Sequence, residues 1–149
     1  MPDRDGRRET TTHKVARGAL ALAYAVAGVA HLVVTDAMVR IVPAWVPAPH
    51  AVVIATGVCE LAGAAGLMTV RWRRAAGWAL ALYAVCVFPA NIKHAIHDLG
   101  GGTGLGLGYH LPRLLLQPVI VWWALWASDA VDWPFGARGR RLAPRVRVP

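Results

Sequence analysis

Four nearly charge-free apolar stretches constrain this chain more than any other feature. Residues 18–34 are interrupted only by His31, and residues 51–70 carry one charge, Glu60. Residues 75–92 carry none, and the run 114–127 extends back to residue 111 if Arg113 reaches toward the membrane surface. A bilayer core about 30 Å thick needs roughly 20 helical residues at about 1.5 Å each, so three stretches fit and the fourth fits with its flank. The runs are long, rich in Ala and Leu, and do not alternate at period two, which argues against strands. With 56% hydrophobic residues in 149, the chain is too apolar for intrinsic disorder. Two cysteines, Cys59 and Cys86, exclude a disulfide-stapled miniprotein. The expected fold is all-α, a four-transmembrane-helix bundle with helices over 18–34, 51–70, 75–92 and 111–127.

The basic residues set the orientation. Arg4, Arg7, Arg8, Lys14 and Arg17 precede the first stretch, Arg71, Arg73 and Arg74 join the second to the third, and Arg138, Arg140, Arg141, Arg145 and Arg147 follow the fourth. Only Arg40, Lys93 and Arg113 fall on the other side. The positive-inside rule then places both termini in the cytoplasm, giving a multi-pass plasma-membrane protein. A basic tail over 1–17 and a second over 129–149 flank the membrane domain, 18–128. The formal net charge of +8 needs no nucleic-acid partner, because anionic headgroups beside the helices supply one. The first stretch is longer than the roughly 7–15 apolar residues of a signal peptide and reads as a retained helix. The proline-punctuated segment from Met38 to Pro49 is too apolar for a solvated loop and is expected at the outer interface or folded over the helix ends. The glycine run from Gly100 to Gly108 lacks the G-x-G-x-x-G spacing and reads as a connector.

Polar groups inside a bilayer are costly, so their depth is informative. Counting along each span puts His31 about 10 Å, Glu60 about 14 Å, Asn91 about 6 Å and Gln117 about 5 Å below the outer boundary of the core. Arg113 lies one turn from Gln117 on the same face. All four spans thus place a polar group in the outer half, with Arg113 just above. Around Glu60, Thr56, Gly57, Gly63 and Ala64 form a stripe of small residues, which turns the acid toward a neighbouring helix. Pro89 and Pro118 free the carbonyls of Val85 and Leu114 nearby. Two readings stand side by side: an outward-opening pocket for the head of an amphiphile such as a quinone, and an interhelical hydrogen-bond cluster that fixes helix register.

Sharper chemistries find little support. There is no Cys-x-x-Cys and no nucleophile elbow. His94, His97, Asp98 and His110 match no strong zinc spacing and read as solvated interfacial groups, so no metal is expected. His31 has no facing partner that would hold a haem. No residue is assigned a catalytic role.

The fragments His31-Leu32, Pro43-Ala44-Trp45-Val46-Pro47, Thr56-Gly57-Val58-Cys59-Glu60-Leu61, Pro89-Ala90-Asn91-Ile92 and Arg113-Leu114-Leu115-Leu116-Gln117, with Trp122-Trp123, resemble the DoxX-like membrane proteins. The resemblance runs from Ala27 to Ala127. It departs at Thr56, where that family often has Ser, and at Leu115, where Pro is frequent. What it implies is a four-helix integral membrane protein related to components of quinone-dependent sulfur oxidation and membrane redox complexes. The expected function is thus an accessory subunit of a redox assembly that holds a quinone-like amphiphile and contacts redox partner proteins. A ligand-free assembly protein, a small-solute transporter and a homo-oligomer remain open beside it.

Overall fold

The computed structural model describes residues 11–102, 104–131 and 133. The described chain is all-helical, with five helices and no strand: α1 (Thr11–Val33), α2 (Thr35–Val39), α3 (Pro49–Met68), α4 (Arg73–Gly101) and α5 (Leu107–Ala127). Most of both basic tails, residues 1–10 and 134–149, lies outside the described residues.

Three helices, α1, α3 and α4, are long and apolar enough to cross a membrane. The fourth, α5, has the length, 21 residues, but His110, Pro112, Arg113, Gln117 and Pro118 dilute its apolar character. Helix ends depart from the ends of the apolar runs for a simple reason. Hydropathy marks where water stops, whereas caps and breakers mark where the hydrogen-bond ladder stops. So α1 already includes Lys14 and Arg17, ahead of the apolar run. Similarly, α4 continues through Lys93 to Gly101 and is stopped by Gly102, whose φ of 61° only a residue without Cβ adopts cheaply. Pro49 opens α3 at a position where its missing amide costs nothing. Pro112 lies inside α5, which starts from Gly106.

The long helices pack in chain order, each against the next. α1 lies along α3 and α4 along α5, while a smaller α3–α4 contact and a still smaller α1–α5 contact close the arrangement. Two kinds of closeness hold it. Toward one end lies an apolar core of Leu20, Tyr24, Leu67, Leu80, Trp126 and small alanines. Just beyond that core Asp129 faces two guanidinium groups and an imidazole, Arg73 at 3.3 Å, Arg17 at 3.7 Å and His13 at 3.1 Å, tying the start of α1 and of α4 to the end of α5. Further along, α1 and α3 meet backbone to backbone. A Cβ on Gly57 would stand 2.9 Å from Cβ of His31 and 3.0 Å from the Gly28 carbonyl, so only hydrogen fits there.

At the opposite end, α2 and the turns after it fold over the helix ends. Lys93 donates from α4 to the Val42 carbonyl, and His50 pairs with Asp36 at 2.9 Å. An open cleft of about 470 Å³ lies here between the end of α1, α2 and the start of α3. Its lining includes Val33, Asp36, Arg40 and His50. The outward faces of the long helices are aliphatic: Leu22 and Leu82 are each 65% exposed. Cys59 and Cys86 also face outward and are unbonded.

Candidate functional site

Beyond the apolar core the buried residues become polar. Glu60 on α3 is only 4% exposed, and its neighbours at helical spacing, Gly57, Gly63 and Ala64, are buried with it. The small residues let α1 and α4 come close enough for their side chains to reach the carboxyl. Tyr83 of α4 donates its hydroxyl to Glu60 Oε1 at 2.9 Å. On the other side His31 Nδ1 of α1 stands 3.0 Å from Oε2. That same nitrogen is 2.9 Å from the Ala27 carbonyl. Two acceptors facing one ring nitrogen put the proton on Nδ1 and leave Nε2 with its lone pair if the ring is neutral. The shared proton also explains why Oε2 has no well-aligned hydrogen bond of its own. Three helices therefore meet at one carboxyl group.

A second polar contact joins α4 to α5. Asn91 donates to Gln117 Oε1 at 3.2 Å, and Gln117 Nε2 donates to the Ala84 carbonyl at 2.5 Å. Ala84 lies one residue before Val85, whose carbonyl loses its usual amide partner to Pro89. Both amides are buried, and the Gln117 amide has a partner at each end, Asn91 at its oxygen and the Ala84 carbonyl at its nitrogen.

The third cluster lies at the α4–α5 connection. Arg113 Nη1 donates to His94 Nδ1 at 2.9 Å, and its guanidinium lies 5.8 Å over the Tyr109 ring. Asp98 gathers His94 Nε2 at 3.3 Å, His110 Nε2 at 3.1 Å and the Leu105 amide at 3.1 Å on its single oxygen Oδ2. Gly104, with φ of 100°, passes so close to Asp98 that a Cβ would lie 2.7 Å from the carboxyl. His97 is mostly exposed and sits 3.6 Å from the other carboxylate oxygen.

The five residues singled out from sequence are thus distributed over three contacts. His31 pairs with Glu60, Asn91 with Gln117, and Arg113 with His94. Sequence reasoning missed Tyr83, which completes the Glu60 site, because a tyrosine in an apolar run carries no charge to mark it. The usable signal was its place about two turns before Asn91 on the same helix. It also left the histidines around Asp98 as solvated groups, whereas His110 is 1% exposed. The spacing hid this because His110 comes from another helix, 12 residues after Asp98.

These features define an all-α protein with polar contacts between apolar helices. A family model described as a domain of unknown function (DUF8561) matches residues 20–128, and the chain belongs to that family. The matched region runs from the apolar part of α1 to the end of α5 and includes every residue of the three polar contacts. No curated protein and no solved structure matches the chain.

Proposed function

We propose that this chain is a multi-pass plasma-membrane protein similar to the DoxX-like family, with α5 completing a four-helix transmembrane bundle and both termini in the cytoplasm. In that membrane it serves as an accessory subunit of a redox assembly, binding a quinone-like amphiphile at the polar half of the bundle. The observation that carries this reading is Glu60, a carboxyl buried among apolar helices between a phenol and an imidazole. Ionisable groups are kept in such surroundings against a desolvation cost of several kcal/mol, which favours a working role. A quinone head needs hydrogen-bond donors at its carbonyl oxygens, and Tyr83 and His31 supply them on this reading by turning their protons from Glu60 to the ligand.

The test is mass spectrometry of lipids retained by protein purified in mild detergent. Wild type is expected to retain quinone and Glu60→Ala to lose it. Equal recovery from both would overturn the ligand reading.

A second reading has its own support: Glu60 Oε1, Asn91 Nδ2 and both ends of the Gln117 amide each bond a neighbouring helix, as helix-fixing contacts would. On that reading Glu60→Gln, which keeps a hydrogen-bonding group, leaves retention of both lipid and partner proteins unchanged.

A further inference from the structure

Outside the Glu60 site, the cluster around Asp98 has features that hydrogen bonding alone accounts for poorly. Oδ2 of Asp98 has three nitrogens within 3.3 Å, of which the Leu105 amide and His110 Nε2 are in hydrogen-bonding geometry and His94 Nε2 at 3.3 Å is a close approach only. His110 is 1% exposed, and its Nδ1 has no hydrogen-bond partner among the described residues. Nε2 therefore carries the polar interaction of a buried ring, and it is aimed at Asp98.

We propose that His94, Asp98 and His110 form a three-ligand site for a borderline first-row divalent cation such as Zn²⁺, and that Arg113 is its resident competitor. One donor atom from each of the three residues lies within 4.8 Å of the others. With metal–ligand bonds of about 2.0–2.1 Å, tetrahedral ligands stand about 3.3 Å apart. The distances from Asp98 Oδ2 to the two Nε2 atoms, 3.3 and 3.1 Å, already match such an edge. The two imidazole rings lie at 82° with centroids 4.9 Å apart, so both nitrogens can point at one centre without stacking. Two nitrogens and one carboxylate with a fourth position open are a donor set that suits Zn²⁺ and similar ions.

Arg113 explains how the apo arrangement is held. Its hydrogen bond to His94 Nδ1 uses that nitrogen's lone pair, so the ring proton sits on Nε2, facing Asp98. A cation at Nε2 requires the other tautomer, with the proton on Nδ1. That proton meets the guanidinium and displaces it. The incoming ion also takes over the charge balance of Asp98, and the Leu105 amide remains as the carboxylate's supporting donor. Metal and Arg113 thus exclude each other at His94. The site does not depend on whether the chain binds a quinone.

The experiment measures Zn²⁺ binding to tag-free, chelator-treated protein in detergent by equilibrium dialysis, with visible absorption of a Co²⁺-loaded sample reporting coordination number. Wild type is expected to bind one ion per chain with a four-coordinate Co²⁺ spectrum. His94→Gln and His110→Gln are expected to weaken binding by at least about tenfold, since even loss of a supporting group outside the ligand set costs about 10–100-fold. His97→Gln is expected to keep the stoichiometry. Arg113→Gln is expected to bind more tightly than wild type, a gain that misfolding does not produce. Absence of binding by wild type, binding untouched in His94→Gln, or weaker binding in Arg113→Gln would each overturn the proposal.

Discussion

At the scale of single residues, Glu60 concentrates the chemistry of the molecule because it is an acid withdrawn from water and contacted by two different proton carriers. Tyr83 supplies the better-aligned of its two contacts, at 2.9 Å. Tyr83→Phe removes that donor while preserving the ring, and leaves Oε1 of Glu60 without it. The expected cost is about 1–3 kcal/mol, the penalty for stranding a buried acceptor. Unfolding in detergent by a graded denaturant measures it. In a Glu60→Gln background the same substitution is expected to cost less, because the amide presents one acceptor oxygen where the carboxyl presents two, and Tyr83 meets it in only one of its two orientations. Equal costs in both backgrounds would show that the hydroxyl does not act through Glu60. The acid itself was legible in the sequence, as was the stripe of small residues around it. The phenol was not, since a residue that is apolar along most of its length declares its polar end only once its neighbour is known.

The individual helix derives its position from where its backbone can approach another. Gly28 and Gly57 make the α1–α3 crossing, and this contact also sets the reach of His31 toward Glu60. Gly57→Val introduces a branched side chain whose first carbon already falls within 3.0 Å of the Gly28 carbonyl. The helices must separate, at an expected cost of about 1–3 kcal/mol for overpacking. Gly18→Ala on α1 is the matched control: a Cβ there meets nothing within 4 Å, and alanine is the better helix former by up to about 1 kcal/mol. Unfolding midpoints in detergent are therefore expected to fall for Gly57→Val and to hold or rise for Gly18→Ala. A shared response would contradict a specific crossing at Gly57. Sequence patterns located the apolar middle of α1, α3 and α4, while the helices α1 and α4 run on beyond those apolar stretches. Lys14, Arg17, Lys93 and His94 continue the helical ladder although they end the apolar run, and only capping geometry, such as the left-handed Gly102, records where the ladder stops.

For the whole molecule, the distribution of surface is what distinguishes this chain from a water-soluble helical protein. Large aliphatic side chains lie outward on every long helix, while Glu60, Asn91, Gln117 and His110 are buried. Such an arrangement loses free energy in water and gains it where the outer faces meet hydrocarbon. The basic residues are segregated in the same frame: Arg17, Arg71, Arg73 and Arg74 gather at the end where Asp129 binds, and the α4–α5 connection with its glycines forms the other. If the first end faces the cytoplasm, as the charge bias requires, the two connections lie in different compartments. In a background in which serine replaces Cys59 and Cys86, Gly100→Cys is expected to react with a membrane-impermeant maleimide on intact cells. Arg71→Cys is expected to react only after permeabilisation. Removing one arginine leaves the bias intact, since twelve basic residues still stand against three. Labelling of both positions from outside would mean that α4 does not cross the bilayer, and the reverse pattern would mean that the charge bias does not set the orientation of this chain.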